Sequence, residues 1–234
     1  MRNARIRADG AGYYHCMSRI IERRMILQDI EKQRLVRLMV NLAAFGGLDI
    51  FSYCFMTNHF HILVHVPERQ DVSDEELLRR LRYIYTQREV DSISKQLQSY
   101  RMEGQAAASS FKARFTYRMY DVSEFFKAFK QQFSQYYNGR ESRRGPLWEQ
   151  RFKSVLVERS EDALLTMAAY IDLNPVRAGI VSDPKDYRYS GYGAAMGGST
   201  EARHGLRRLM QAALGGRLSW SKAQPEYRQR LYVQ

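Results

Sequence analysis

An α+β fold with a ferredoxin-like, split βαβ antiparallel sheet is predicted by three features of the chain. The first is the element order: strand, helix, strand, strand, then a charged helical stretch, helix, strand, helix. The second is a hairpin signal, in which two alternating apolar runs are separated only by Thr57-Asn58. The third is a change of apolar spacing, from every second residue in the strands to every third or fourth between them.

Gly12 to Arg19 alternates as a first strand, with Tyr13, His15 and Met17 on one face and Tyr14, Cys16 and Ser18 on the other. Residues 30–45 read as a helix, because Leu35, Leu38, Met39 and Leu42 recur at helical spacing and Gly46-Gly47 supplies a stop. Asp49 to Met56 and the histidine-rich run to Val66 form the hairpin. Beyond Pro67 the chain turns charged and helical, starting from the capped segment at Ser73, and residues 68–120 are read as a helical insertion with a flexible break at Gly104 to Ser110. Phe125, Phe129, Phe133 and Tyr137 repeat every four residues and predict the buried stripe of a helix ending near Asn138-Gly139. A strand over 152–158 and a helix over 161–173 follow, the latter ended by Pro175. The core domain is assigned to residues 1–195 and a basic helical C-terminal extension to 196–234, with helix-like stretches over 202–214 and 224–231.

The 234 residues are 44% hydrophobic and 12% aromatic, enough for a packed core. Lysine and arginine number 37 against 25 acidic residues, a formal charge of +12 that favours a polyanionic partner, foremost nucleic acid. No apolar run reaches the roughly 18 residues of a membrane span, so no membrane partner is expected. Cys16 and Cys54 sit in apolar strand segments and read as buried free thiols, which fits a reducing, cytoplasmic setting. The segment Met1 to Arg7 is basic with no apolar stretch of signal-peptide length behind it, so secretion is not expected.

His59 and His61 project to one side of a strand about 6.6 Å apart at Cα, close enough to share one ion. An apolar strand has little use for two imidazoles on one face; a metal site and a pair of satisfied structural histidines are the two readings. His65 lies roughly 13 Å beyond His61 and is not expected to bind the same ion, whereas His15 on the neighbouring strand is placed to offer a hydrogen bond, and His204 reads as a surface residue. Two imidazoles leave most cations undercoordinated. Asn174 offers an amide oxygen and shares a helical face with Tyr170; Asp172, a harder ligand, sits about 200° around the helix from Tyr170 and points elsewhere. A histidine pair, a helical tyrosine and surplus positive charge suggest metal-assisted phosphodiester chemistry with a tyrosine nucleophile.

The combination of His59-Phe60-His61 with Tyr170-Ile-Asp-Leu-Asn-Pro-Val-Arg-Ala-Gly179, preceded by Leu147-Trp-Glu-Gln-Arg-Phe-Lys-Ser154, resembles the single-tyrosine HUH transposases, most of all the REP-associated tyrosine transposases. The match runs from about residue 10 to 195. That resemblance implies an HUH domain that cuts and rejoins single-stranded DNA near hairpins. It assigns the nucleophile to Tyr170, which forms a 5′-phosphotyrosine, and a divalent cation, Mg²⁺ or Mn²⁺, to His59, His61 and Asn174. Imidazole ligands alone would also permit Zn²⁺. Minimal relatives pair as a homodimer with shared active sites, whereas a long C-terminal tail could complete one subunit alone.

Arg79, Arg82, Arg143, Arg144, Arg151 and Lys153 are candidates for phosphate contacts, and Trp148 for stacking on an unpaired base; the competing readings are a solvated face and, for Trp148, a core position. A structured DNA or RNA binding protein that does not cut is the alternative from another class. A relaxase-like or replication-initiating nickase would share the chemistry and act on origins. Tyr136 and Tyr137 are the alternative nucleophiles.

Overall fold

The computed structural model describes residues 10–232; the basic segment Met1 to Arg7 lies outside the described residues. Strands β1 (Gly12–Arg19), β2 (Asp49–Phe55), β3 (His59–Val66) and β4 (Lys153–Val157) form one sheet in the order β2-β3-β1-β4, with every neighbouring pair antiparallel. This is the split βαβ arrangement predicted. The β2-β3 hairpin is closed by the Met56 amide, which donates to the His59 carbonyl (2.9 Å).

Helix α1 (Asp29–Gly46) starts at a capping box between Gln28 and Glu31 and ends at Gly47, whose φ of +66° places it in the left-handed region that glycine adopts without strain. With α5 (Val122–Arg140) it covers one sheet face. Phe60 faces this layer and stacks on Phe126 (5.4–6.0 Å from the rings of Phe129 and Phe126), and the predicted stripe of Phe125, Phe129, Phe133 and Tyr137 is buried here.

The insertion comprises α2 (Asp74–Leu81), α3 (Gln87–Glu103) and α4 (Gln105–Thr116), which pack around their own core of Leu77, Leu81, Val90, Leu97 and Phe111 and join the main body at Phe45. The break expected at 104–110 is a single residue, Gly104. Ala106 to Ser110 are small but hold helical geometry, because Ala108 and Phe111 are buried against the second core.

Helices cover both faces of the sheet. α6 (Glu161–Asp172), the short α7 (Asn174–Arg177), α8 (Gly191–Met196), α9 (Thr200–Leu214) and α10 (Trp220–Tyr232) build a second layer, in which α6 and α9 pack on the opposite face of the sheet. The stretches after residue 196 thus contribute Leu206, Leu209, Met210, Tyr227 and Leu231 to the main core. α9 comes so close to β2 that a Cβ on Gly205 would lie 2.1 Å from the Ile50 carbonyl oxygen. Register slips at this point: Ile50 pairs with Val64 and Ser52 with Leu63, leaving Phe51 as a bulge that turns both Phe51 and Ser52 toward the second layer. Asp172 fastens this layer. It is fully buried and accepts from Ser52 Oγ on β2 (2.9 Å), the Tyr192 amide on α8 (2.9 Å) and the Tyr227 hydroxyl on α10 (2.7 Å). Cys16 and Cys54 are buried free thiols, as expected. Among the described residues no helix is long and apolar enough to cross a membrane.

Candidate active site

Antiparallel pairing places Arg19 opposite His59 and Met17 opposite His61, with His15 one step further along β1 opposite Leu63. The imidazoles of His15, His59 and His61 therefore face the second helical layer, while Phe60 between the two β3 histidines enters the first. The rings of His59 and His61 stand edge to face at 5.2 Å between centroids.

Each β3 histidine has one ring nitrogen engaged. Asn58 Oδ1, an acceptor, lies 2.7 Å from His59 Nδ1, which fixes the proton on Nδ1 and leaves Nε2 with its lone pair. His61 Nδ1 lies 2.9 Å from His15 Nε2, the contact expected from the neighbouring strand; with His61 as donor its Nε2 is likewise free. Burial, with Arg19 nearby, pushes His59 down to about 4. Burial, with His15, His59 and Arg19 adding their charge, pushes His61 down to about 3, and burial lowers His15. All three are neutral at pH 7, the protonation state that metal ligation requires. Two imidazoles with free Nε2 atoms and supported Nδ1 atoms fit a divalent cation. Among the described residues no group of three His, Cys, Asp or Glu could hold one, so a third protein ligand would have to come from another residue type.

These shifts predict a pH dependence. Both folded values lie below the ordinary 6.5, so as pH falls the unfolded chain takes up protons first. The histidines contribute stability that is full above about pH 6.5 and is lost progressively toward pH 4, on the order of 2 kcal/mol for His61 at pH 5. Thermal melts at pH 7.5 and 5 should diverge, and His61→Gln should narrow the gap. An unchanged gap would assign the acid sensitivity to other groups.

Tyr170 sits in the last turn of α6. Ser160 caps the start of this helix, its Oγ accepting from the Ala163 amide. Tyr170 stands edge-on to His61 at 5.7 Å and to His15 at 6.1 Å, and the residue is 40% exposed. Sequence separation of more than a hundred residues is thus closed within one chain.

Asn174 is not on the helix of Tyr170. α6 stops at Asp172 and Asn174 opens α7, because Pro175 has no amide hydrogen to give the Ile171 carbonyl. The Asn174 amide nitrogen supplies the deficit, donating to the carbonyls of Tyr170 (2.8 Å) and Ile171 (3.4 Å), which leaves its oxygen as the atom it can offer a ligand. Asp172 points away into the core, as its angular position predicted. His65 is held by Asp49 (3.0 Å) and stacked on Tyr13, away from the other histidines, and His204 is exposed. Of the alternative tyrosines, Tyr137 is buried on α5 in the other layer and Tyr136 lies between Arg34 and Arg140.

The cationic candidates separate into groups. Arg151 and Lys153 are exposed and line a small cleft with Met17, Ser18 and Arg19, beside the histidines. Arg144 is exposed on the preceding loop, whereas Arg143 is spent on that loop's shape, donating to Asn138 Oδ1 (3.2 Å) and the Pro146 carbonyl (2.9 Å). Arg79 and Arg82 are on the insertion, at the Asp49 and Val66 end of the sheet, about 20 Å of strand from His59. Arg79 is also gripped by Glu76 (2.6 and 2.7 Å). Trp148 is no stacking platform: it is buried against Phe60 and Phe133, and its indole N–H donates to Ser134 Oγ (3.0 Å). An indole in a basic loop reads as exposed only until Ile20 is seen to bridge to it from the end of β1.

Two site residues escaped sequence reasoning. Arg177 places its guanidinium 5.2 Å from the centre of the Tyr170 ring. Its nearness in sequence to Tyr170, just past the proline that ends α6, was the available signal. Arg19 bears on both His59 and His61 and could be found only from the strand register.

A ferredoxin-like sheet thus presents a histidine pair to a tyrosine on the helix after its fourth strand. The family model described as "Transposase IS200 like" matches residues 10–113, a span that includes both β3 histidines and ends before Tyr170. A solved structure of a REP-associated tyrosine transposase bound to a REP hairpin has the same fold: TM-score 0.54 and 17% identity, covering 86% of this chain and 90% of that one. No curated protein matches the chain. The family match and the shared fold bear out the resemblance to REP-associated tyrosine transposases.

Proposed function

We propose that this protein nicks and rejoins single-stranded DNA near hairpins, with Tyr170 as the nucleophile. The phenolic oxygen attacks the scissile phosphorus, the bond from phosphorus to the 3′ oxygen breaks, and the proton lost by the phenol is balanced by the one gained at the 3′ oxygen. The products are a 5′-phosphotyrosine and a 3′-OH. The new ester keeps the reactivity of a phosphodiester, so a 3′-OH from another end can reverse the step and join strands.

His59 and His61, with the amide oxygen of Asn174, would hold Mg²⁺ or Mn²⁺. That cation, when bound, offsets negative charge on the phosphate. His15 and Asn58 orient the two imidazoles. A free phenol has a pKa near 10, so attack requires the loss of a proton that water at pH 7 does not readily take. The Arg177 guanidinium over the ring favours the developing phenolate. Arg19, Arg144, Arg151 and Lys153 are the cations placed to receive the strand's phosphates.

The observation that carries this reading is the edge-on approach of Tyr170 to His61 at 5.7 Å in one chain, with no second copy needed to bring them together. The test is covalent trapping: the protein, Mn²⁺ and a labelled library of single-stranded hairpins should give an SDS-resistant adduct that is lost in His59→Ala. Tight hairpin binding without any adduct would instead establish a non-cutting binder of structured nucleic acid.

A further inference from the structure

The histidine face of the sheet carries a second feature at its other end. A cavity of about 770 Å³ opens there between the sheet and α9, well within the size of small-ligand sites. Its floor is Tyr13, Phe51, Leu156 and Val157, and Glu158 and Arg159 stand at the wall formed by the end of β4. Arg208 and Gln211 connect it to a smaller cavity of about 270 Å³ lined also by His204, Arg207 and Arg217. An apolar room thus adjoins a cationic one.

The floor is preformed. His65 is stacked between Tyr13 (4.7 Å) and Phe51 (5.7 Å), and Asp49 fixes it while also receiving Arg208 (2.9 Å). That arrangement consumes the Asp49 carboxylate. Arg159, Arg207 and Arg217 have no ion-pair partner among the described residues, so the cationic side of the cleft is uncompensated except by Glu158. None of this is used by the chemistry at Tyr170, since His65 lies about 13 Å along the strand from His61.

We propose that this double cavity takes one unpaired nucleotide of a single-stranded DNA segment, with the base on the apolar floor and the neighbouring phosphate held by Arg207, Arg208 and Arg217. The inference rests on the reading of the substrate as single-stranded DNA and extends it to a binding site remote from the nucleophile. A flat apolar body joined to an anion is the ligand shape that an apolar room beside a cationic room accepts. A base paired in a duplex exposes only its edges in the grooves and cannot offer its face to this floor. Glu158 can only accept hydrogen bonds, so it favours a base edge that presents a donor, such as an exocyclic amino group. Helix α6, capped by Ser160 beside the cleft, carries Tyr170 in its last turn, so a strand bound in the cleft is aligned by the helix that carries the proposed nucleophile.

The test uses the full chain and two labelled DNA probes: a hairpin with single-stranded flanks and the same hairpin trimmed to its duplex. The charge reversals Arg207→Glu and Arg217→Glu together, both at exposed positions, should weaken binding of the flanked probe about tenfold or more and leave the trimmed probe within about twofold. Ala212→Trp, which fills the apolar room without altering charge, should reproduce the same difference. Equal losses on both probes, or no loss on either, would overturn the proposal. Adduct formation at Tyr170 is followed in parallel. An adduct with no flank effect removes the cleft and leaves strand transfer standing; a flank effect with no adduct does the reverse.

Discussion

On the proposed function, Tyr170→Phe should abolish the covalent adduct and lower strand cleavage by about a thousandfold or more, while hairpin affinity should stay within about twofold. The substitution removes one oxygen from a ring that stays where it was, because its position is set by the edge contacts with His15 and His61 and by Arg177 above it rather than by the hydroxyl. Neither alternative tyrosine is placed to take over. Tyr137 is buried in the other layer, and Tyr136 is held there between two arginines. The measurement is denaturing gel mobility of labelled DNA after incubation with Mn²⁺. An adduct of undiminished yield in the variant would remove Tyr170 from the reaction.

The second large effect falls on stability. Asp172→Ala leaves three donors, Ser52 Oγ–H, the Tyr192 amide and the Tyr227 hydroxyl, buried without a partner. At about 1 kcal/mol or more for each, the loss is roughly 3 kcal/mol, a large share of a typical domain's 5–15. Since these donors come from β2, α8 and α10, the second helical layer loosens and Tyr170 drifts from the histidines. Asp172→Asn should behave differently. Its amide oxygen still accepts from the Tyr192 amide and its nitrogen can donate to the two hydroxyl oxygens once they rotate. Burial, only partly offset by hydrogen bonds from Tyr192, Tyr227, Ser52 and Gly191, raises the Asp172 carboxyl to about 6, above its ordinary 3.8. The folded state therefore holds this proton more tightly than the unfolded state, and the stability it contributes is present below about pH 4 and lost as pH rises to about 6. Relative to the unaltered protein, Asp172→Asn should gain up to about 3 kcal/mol between pH 4 and 7, or roughly 6–12 °C in Tm. A difference independent of pH would show that Asp172 titrates normally.

Much of this was legible in the residues themselves. Period-two alternation in β1 and β3 put His15, His59 and His61 on one face, and the four-residue phenylalanine repeat gave α5 and its burial. Features that depend on contacts between distant segments were not legible. Asp172 carries no local mark of its partners, which arrive from residues 52, 192 and 227, so its carboxylate could be weighed only as a ligand. The second helical layer was hidden for the same reason: α9 and α10 read as a basic tail because their charged faces dominate the composition, while the buried side is carried by few residues such as Leu206, Leu209 and Tyr227. Basic surroundings make Trp148 and Arg143 candidates for DNA contacts as readily as for a core position and a solvated face; Trp148 fills the core and Arg143 ties a loop.

The missing amide hydrogen at Pro175 has an outcome for the choice of amino acid one position earlier. An aspartate at 174 would present a hard cation with a stronger oxygen, yet it would turn a second anionic oxygen toward the Tyr170 and Ile171 carbonyls, which already carry the negative end of α6. Asparagine would resolve that conflict by division of labour: one end of its amide quiets the helix terminus that positions the tyrosine, and the other is left for the proposed cation. If residue 174 serves the proposed cation, selection for tighter binding there would be opposed by the geometry of the helix end that carries Tyr170.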